Sequence, residues 1–170
     1  SKYNERMAEC EKALKILQKY KVIDNLCQLT VKEFEELKAH INEDNIRKRA
    51  KHAVYENYRV NQASAALRQG DIPLIGKLLN ESHKSLKDLY EVTGIELDTI
   101  VAAANNYHHC VGARMTGAGF GGCAIALVEK DKVEDFVQVV GKEYKKLISY
   151  EAGFYITGIG DGARELEAYA

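Results

Sequence analysis

The sequence predicts a helix-rich α+β fold, in which helices cover one face of an antiparallel sheet of three or four strands. Three observations predict it. Between residues 4 and 106 the apolar residues recur mostly at helical spacing. Two strand-like stretches then flank a glycine-rich loop, a further helical pattern follows, and Gly153–Thr157 has a last strand pattern. The 170 residues fit a single domain, 1–170, with a real core.

The first part of the chain predicts three helices. We expect Asn4 to cap the first one, and Thr30 and Glu33 to form a capping box that opens a short second one. The third is predicted over Ile46–Gln69, because this stretch lacks Gly and Pro, and Gly70 follows as a left-handed C-terminal residue. One side of this helix should be lined by Ile46, Ala50, Ala53, Val60 and Leu67.

The middle of the chain predicts further helices with clear start signals. Asp71 is expected to cap a helix with Pro73 in its first turn, whose pattern continues towards Tyr90. A second capping box is expected at Thr93–Glu96. After the strands, helical spacing returns over Lys132–Ser149.

The segment Val111–Val128, VGARMTGAGFGGCAIALV, predicts a strand, a glycine-rich loop and a second strand. Its last part, Cys123–Val128, is an unbroken apolar run of the length of a buried strand. Alternate glycines permit positive φ and leave no side-chain bulk. The loop amides could therefore face an anion, or another backbone could approach closely. A tight turn packed beneath another segment explains the glycines equally well.

Three familiar glycine motifs do not fit this loop. Gly117, Gly119 and Gly122 match G-x-G-x-x-G, but a strand follows where dinucleotide binding needs a helix. No Lys-Ser or Lys-Thr follows the glycines, as a P-loop requires. The other protein-kinase motifs are absent from the sequence.

Composition excludes several broad classes of protein. The formal net charge of −1 gives no electrostatic footprint for nucleic acid or membranes. No apolar stretch is long enough to span a bilayer, and there is no signal peptide. The four cysteines lack C-x-x-C spacing and predict reduced thiols in the cytoplasm. The absence of an initiator Met suggests a piece of a longer protein.

Arg114–Cys123, RMTGAGFGGC, resembles the third signature motif of galactokinases, within the GHMP kinase superfamily. Further segments resemble that family in its own order along the chain. They are Ser1–Leu14, His52–Val60, Leu79–Leu97 and Asp161–Leu166. The resemblance implies that residues 1–170 are the C-terminal half of such an enzyme, with the N-terminal catalytic half absent. It also implies the ferredoxin-like α+β type of the GHMP kinase C-terminal domain, in agreement with the pattern.

Galactokinases transfer the ATP γ-phosphoryl group to the anomeric hydroxyl of D-galactose, assisted by Mg²⁺. The family's catalytic Asp and Arg, its sugar motif and its phosphate loop belong to the N-terminal half, and this sequence lacks them. The resemblance therefore implies no catalytic residue and no metal ligand in this chain. ATP and Mg²⁺ should bind mainly to the N-terminal half, which is the expected partner. The chain alone should be inactive.

The resemblance implies two pieces of the active-site wall. Tyr3 matches the tyrosine that contacts the sugar, although without the resemblance it would be only a residue near a terminus. The motif loop near the active site should support the site rather than catalyse. Its residues are Gly117, Ala118, Gly119, Phe120, Gly121 and Gly122. An interdomain surface left open should show as an apolar patch of several hundred Å² beside this loop.

Other conspicuous residues favour structural roles. Arg114 on a strand is more often paired with a carboxylate than with a phosphate. His108 and His109 offer too few ligands for a metal. His83 is expected to make a packing or capping contact, and the Cys123 thiol to be inert.

Three alternatives stay open. One is a galactose-responsive regulator without kinase activity on the same scaffold. Another is a kinase for an N-acetylated hexosamine, which would differ in the first half. The third is an α+β interaction module whose glycine loop is only a turn.

Overall fold

The structure, a computed structural model, describes residues 2–158 and residue 160. Its α-helices are α1 (Lys2–Leu17), α2 (Val31–Leu37), α3 (Asp44–Gln69), α4 (Ile72–Ser85), α5 (Ile95–Asn106) and α6 (Val133–Ile148). Short 3₁₀ turns occupy Leu26–Gln28, Lys38–His40 and Lys130–Lys132, and a π-helix, Leu86–Tyr90, directly follows α4. Within residues 2–158 no helix is both long and apolar enough to cross a membrane.

Several predicted helix ends are confirmed. The Thr30 hydroxyl accepts the backbone N–H of Glu33 at 3.2 Å, and the Glu33 carboxylate accepts the N–H of Thr30 at 2.9 Å. Asp71 Oδ1 accepts the N–H of Leu74 at 3.0 Å. Gly70 ends α3 with a φ of 68°. These ends form where the sequence carries the capping groups that unpaired helix amides require.

Two other predicted caps are wrong. Asn4 lies inside α1, which begins at Lys2 in the described part of the chain. The N-cap of α5 is Gly94, at a φ of 97° and without a side-chain hydrogen bond, so Thr93 and Glu96 form no capping box. Helix α5 begins at Ile95, so Thr93 lies one residue before the N-cap position.

The first half of the chain forms a closed core, which we call the helical cluster. Its buried residues are Ala13, Leu17, Ile23, Leu26, Leu29, Phe34, Ile41, Ile46, Ala50 and Val54. They come from α1, α2, the N-terminal part of α3 and the connections between them. Of the apolar residues predicted on one side of α3, Ile46 and Ala50 are buried, whereas Val60 and Leu67 are exposed. Ala66, near the same end of α3, is nevertheless buried.

The two strands form an antiparallel hairpin. β1 (Cys110–Thr116) pairs with β2 (Cys123–Val128), with Ala113 opposite Ala126 and Thr116 opposite Cys123. Helices α5 and α6 pack on one face through buried Val101, Ala104, Phe136 and Val140. This confirms the α+β class with helices on one sheet face.

Helix α4 closes the outer edge of β1. The Asn80 side-chain oxygen accepts the N–H of Ala113 at 2.9 Å, and His83 Nδ1 accepts the N–H of Met115 at 3.2 Å. The backbones of α4 and β1 approach closely because Gly76 on the helix and Gly112 on the strand have no side chains. A Cβ on Gly112 would lie 2.4 Å from the carbonyl oxygen of Gly76. Side chains of α4 therefore accept hydrogen bonds from the β1 backbone N–H groups that a third strand would otherwise pair with.

The predicted number of strands is too high. Gly153–Thr157 has no regular structure, and the sheet of the described residues has two strands. A strand forms only where another strand accepts its backbone hydrogen bonds, and none lies beside this segment among residues 2–158. Instead, the Phe154 ring packs edge-on against Phe136 with 6.4 Å between centroids, and Tyr155 is 93% exposed.

Strand β2 is not buried as its apolar sequence predicts. Cys123 and Ile125 lie on the face opposite to α5 and α6 and are exposed, and Ala126 is exposed on the other face. The family-like segment Asp161–Leu166, together with Ser1, lies outside the described residues.

Candidate functional site

The glycine-rich loop between the strands takes up conformations that only glycine adopts readily. Gly117, Gly119 and Gly121 have φ values of 77°, 85° and 90°. Phe120 also has a positive φ, 56°, which is uncommon for a residue with a side chain. The loop is followed directly by β2, so no helix opens from it, as the dinucleotide motif requires. The geometry agrees with the rejection of the dinucleotide motif.

The loop is attached by its backbone to the segment after the π-helix. The Phe120 N–H donates to the carbonyl oxygen of Val92 at 2.8 Å. A Cβ on Gly119 would lie 2.1 Å from that same oxygen, so this position must be glycine. The loop therefore packs closely against another backbone, as one of the sequence-based alternatives expects.

The structure brings Tyr3 and this loop together across more than a hundred residues of sequence. Both line one cleft of about 90 Å³. The cleft is lined by Tyr3, Arg6, Leu86, Tyr90, Val92, Met115, Gly117, Ala118 and Phe120. The Lys2 ammonium lies 5.5 Å from the centroid of the Phe120 ring, which joins the start of α1 to the loop. The remaining loop residues, Gly119, Gly121 and Gly122, do not line the cleft.

The π-helix forms the back of the cleft and has no signal in the sequence. Apolar spacing predicts that the α4 pattern simply continues to Tyr90, whereas the chain widens into a π-turn. The Tyr90 ring stacks on His52 with 4.4 Å between centroids, and its hydroxyl lies 3.9 Å from the Cys10 sulfur. Burial, with the neighbouring Cys10, raises the pKa of Tyr90 to about 12, so its phenol stays neutral.

Arg6 is the second cleft residue that sequence reasoning missed. It is 9% exposed and forms an ion pair with Glu9 one turn further along α1. Burial raises the pKa of Glu9, but hydrogen bonds from Arg49 and Arg6 outweigh it and hold the pKa below its ordinary value. An arginine in a charged helix reads as solvated surface from the sequence, and only the packing of α1 buries it.

His83 and Arg114 have structural contacts. His83 accepts from β1, and its Nε2 lies 3.5 Å from Asp98 Oδ1. Burial lowers the pKa of His83 despite the Asp98 carboxylate, so it is neutral at pH 7. Arg114 donates to Glu56 Oε1 at 3.1 Å, as expected for a strand arginine paired with a carboxylate. Neither side chain lines the cleft.

His108 and His109 lie at the opposite end of the hairpin from the loop, and His109 Nδ1 lies 2.9 Å from Glu129 Oε2. Within residues 2–158 and 160, no three His, Cys, Asp or Glu residues gather into a metal site.

Two aromatic side chains that line the cleft are exposed. Tyr3 is 61% exposed and Phe120 41%. Their exposure agrees with the expected apolar surface beside the loop, and its extent stays a prediction.

Comparison with known proteins identifies the family. Residues 63–146, which include the hairpin and its loop, match the family model "GHMP kinases C terminal". The galactokinase of Clostridium tetani is 55% identical over 98% of this chain, and that of Enterococcus faecalis is 54% identical over the same share. The chain spans about 42–43% of the length of these relatives.

A solved structure agrees with the sequence comparison. Lactococcus lactis galactokinase complexed with galactose superimposes with a TM-score of 0.93 at 50% identity. The match covers 95% of this chain and 42% of that one. The resemblance stated from the sequence is thereby confirmed, and the chain belongs to the GHMP kinases as a C-terminal domain of the galactokinase type.

Proposed function

We propose that residues 1–170 are the C-terminal domain of a galactokinase, and that they form one wall of its active site. The N-terminal half of the same protein would supply the other wall. The full-length enzyme would transfer the ATP γ-phosphoryl group to the anomeric hydroxyl of D-galactose, giving galactose 1-phosphate. The observation that carries the proposal is the cleft, in which Tyr3 meets the family's motif loop.

The size of the cleft supports a shared active site. Small-molecule sites usually enclose about 300–1,000 Å³, whereas this cleft measures about 90 Å³. A sugar lying on it would remain largely open to water. A second wall is therefore needed to enclose the reactants, and the exposed Tyr3 and Phe120 lie where such a wall would meet this one.

The chemistry of the cleft supports a role in positioning. The Tyr3 phenol can exchange one hydrogen bond with a sugar hydroxyl and present an aromatic edge to the ring. The loop supports the floor of the site through its bond to Val92. Phosphoryl transfer depends mainly on positioning and charge stabilisation, so orienting the acceptor sugar is a sufficient task for this wall.

ATP and Mg²⁺ are assigned to the N-terminal half. Among residues 2–158 and 160, no Asp or Glu lines the cleft, and Mg²⁺ prefers carboxylate and phosphate oxygens. The metal would neutralise developing charge on the transferred phosphoryl group when bound. We also propose a cytoplasmic location, which the four free cysteines support.

The test is ADP release by the full-length protein that contains this chain, with galactose, with N-acetylgalactosamine and without sugar. We expect turnover that depends on galactose. Turnover only with the acetylated sugar would indicate a hexosamine kinase, and galactose binding without ADP release would indicate a regulator. If the protein neither binds nor phosphorylates a sugar, the interaction-module alternative holds.

A matched pair of tyrosine variants tests the role of Tyr3. Tyr3→Phe should raise the KM for galactose by about tenfold, the value of one hydrogen bond, and leave the KM for ATP nearly unchanged. Tyr58→Phe is the control, because Tyr58 is also exposed but lies on α3 outside the cleft. Equal KM values for galactose in the two variants would show that Tyr3 does not contact the sugar.

A further inference from the structure

Arg49 is a charged side chain in the interior of the molecule, on α3, with only 2% of its surface exposed. Its guanidinium donates to three different acceptors. Nε bonds Glu9 Oε2 at 2.8 Å, Nη1 bonds the carbonyl oxygen of Leu89 at 2.6 Å, and Nη2 bonds Glu91 Oε2 at 2.7 Å. One side chain thus joins α1, α3 and the π-helix.

The contact with Glu9 leads to the Tyr3 side of the cleft. Glu9 lies on α1, the helix that also carries Tyr3 and Arg6. Its carboxylate forms an ion pair with Arg6, a residue of the cleft wall. Holding Glu9 therefore holds the position and rotation of α1 beside the cleft.

The other two contacts lead to the loop side of the cleft. Leu89 is in the π-helix, and Glu91 directly follows it at a φ of 56°. A non-glycine residue in this region is held there by its surroundings. The next residue, Val92, accepts the Phe120 N–H of the glycine loop. Arg49 is therefore connected to the loop indirectly, through the backbone from Leu89 to Val92.

Arginine is the side chain that suits this position. A guanidinium presents five N–H donors in a rigid planar fork, so it can hold three acceptors in fixed relative positions. A lysine ammonium keeps the charge but is a single point on a flexible stem. Lysine at position 49 would preserve much of the charge balance with Glu9 and lose the fixed spacing of the acceptors.

We propose that Arg49 is a positioning residue that sets the separation between Tyr3 and the glycine loop, and thereby the fit of the sugar. Arg49 itself does not line the cleft. The effect on the sugar rests on the proposed function above, whereas the effect on the spacing of the two walls does not.

The kinetic test compares Arg49→Lys with Arg68→Lys in the full-length protein. Arg68 is an exposed arginine on the same helix and gives a matched control. We expect Arg49→Lys to raise the KM for galactose by about tenfold, with the KM for ATP nearly unchanged. Adding Tyr3→Phe should then raise the KM for galactose by a smaller factor in Arg49→Lys than in the unchanged protein, because the Tyr3 contact is already misplaced. A fully additive effect of the two substitutions would overturn the proposal.

The second test needs no activity, and it separates this proposal from the proposed function. Hydrogen–deuterium exchange of the full-length protein is followed in peptides from the start of α1 and from the loop. Arg49→Lys should speed exchange of both peptides by about tenfold or more, while peptides of α6 stay unchanged. Unchanged exchange in both peptides would contradict the positioning role, even if the protein proves not to be a galactokinase.

Glu91→Gln keeps the test usable if Arg49→Lys does not fold. Glu91 is the most exposed of the three partners, with 48% of its side chain accessible, so its loss should leave the fold intact. It should speed exchange of the loop peptide more than that of the α1 peptide. Equal exchange of the loop peptide in Glu91→Gln and the unchanged protein would count against the proposal.

Discussion

The helical cluster and the hairpin differ in how completely their apolar side chains are buried. In the helical cluster Ala13, Leu17 and Phe34 have no exposed surface at all. In the hairpin, Met115 on β1 is 1% exposed, whereas Ile125 on β2 is 48% exposed. The helical cluster is thus complete with the described residues, while the hairpin has an apolar side that they leave open.

The two strands of the hairpin show where this difference begins. The outer edge of β1 is occupied by Asn80 and His83 of α4, which accept its backbone N–H groups. Among the described residues nothing comparable pairs with the outer edge of β2. An apolar strand is therefore not always buried by the residues of its own domain, because its exposed side can be an interaction surface for another part of the protein.

The largest effect is expected in the helical cluster. Phe34→Ala removes a ring with no exposed surface and leaves a cavity, so it should lower the free energy of unfolding by about 3–5 kcal/mol. Denaturant unfolding of the chain measures it. A loss no larger than that of a surface substitution would show that the helical cluster is loosely packed.

A smaller but still large effect is expected where α4 meets β1. Gly112→Ala would place a Cβ 2.4 Å from the Gly76 carbonyl oxygen, and two backbones must separate to relieve it. We expect a loss of about 3 kcal/mol in the free energy of unfolding. Gly121→Ala is the control, since no atom lies within 4 Å of its Cβ. Its cost should be about 1 kcal/mol, from the positive φ alone.

The pH dependence of stability should report on His52, which connects α3 to the π-helix. Burial, outweighing the nearby Glu56 carboxylate, lowers the pKa of His52 to about 4 from its ordinary 6.5. The unfolded chain therefore takes up this proton at a higher pH than the folded chain. The stability that the folded chain gains from keeping His52 neutral is complete above about pH 6.5 and is lost as pH falls towards 4.

The measurement compares His52→Gln with the exposed His40→Gln. Between about pH 7 and pH 4.5 the unchanged chain should lose about 2 kcal/mol more stability than His52→Gln. The His40→Gln variant should follow the unchanged chain. Parallel curves for all three proteins would mean that folding does not lower the pKa of His52.

The smallest effect is expected on the open side of the hairpin. Ile125→Ala should lower the free energy of unfolding of this chain by about 1 kcal/mol or less, because half of the side chain is already in water. In the full-length protein the same substitution should cost more, because we expect the rest of that protein to cover this face of the hairpin. Equal costs in both proteins would mean that this surface stays open to solvent.

Much of the local structure follows from short-range signals. Capping residues Thr30 and Asp71, and Gly70 after α3, set helix ends where the sequence predicts them. The glycine loop also forms between two strands as predicted. These features depend on the conformational preferences and hydrogen-bonding groups of neighbouring residues, which the sequence displays directly.

Other features could not be predicted because they depend on distant partners. Thr93 has the pattern of an N-cap, but α5 begins one residue later, with Gly94 at the N-cap position. The strand pattern of Gly153–Thr157 needs a neighbour that the described residues do not supply. The π-helix depends on contacts of Leu89 and Tyr90 with α3 and has no local signature.

The spacing of apolar residues in the sequence determined the α+β class. The resemblance of its motifs to one family indicated the family and pointed to Tyr3 and the loop as parts of the candidate site. Only the tertiary structure decided that the two parts share one cleft, and that a buried arginine holds both. Contacts such as those of Arg49 with Glu9 and Glu91 join residues that are distant in the chain. Their spacing is set by the packing of whole helices, which no single stretch of sequence encodes.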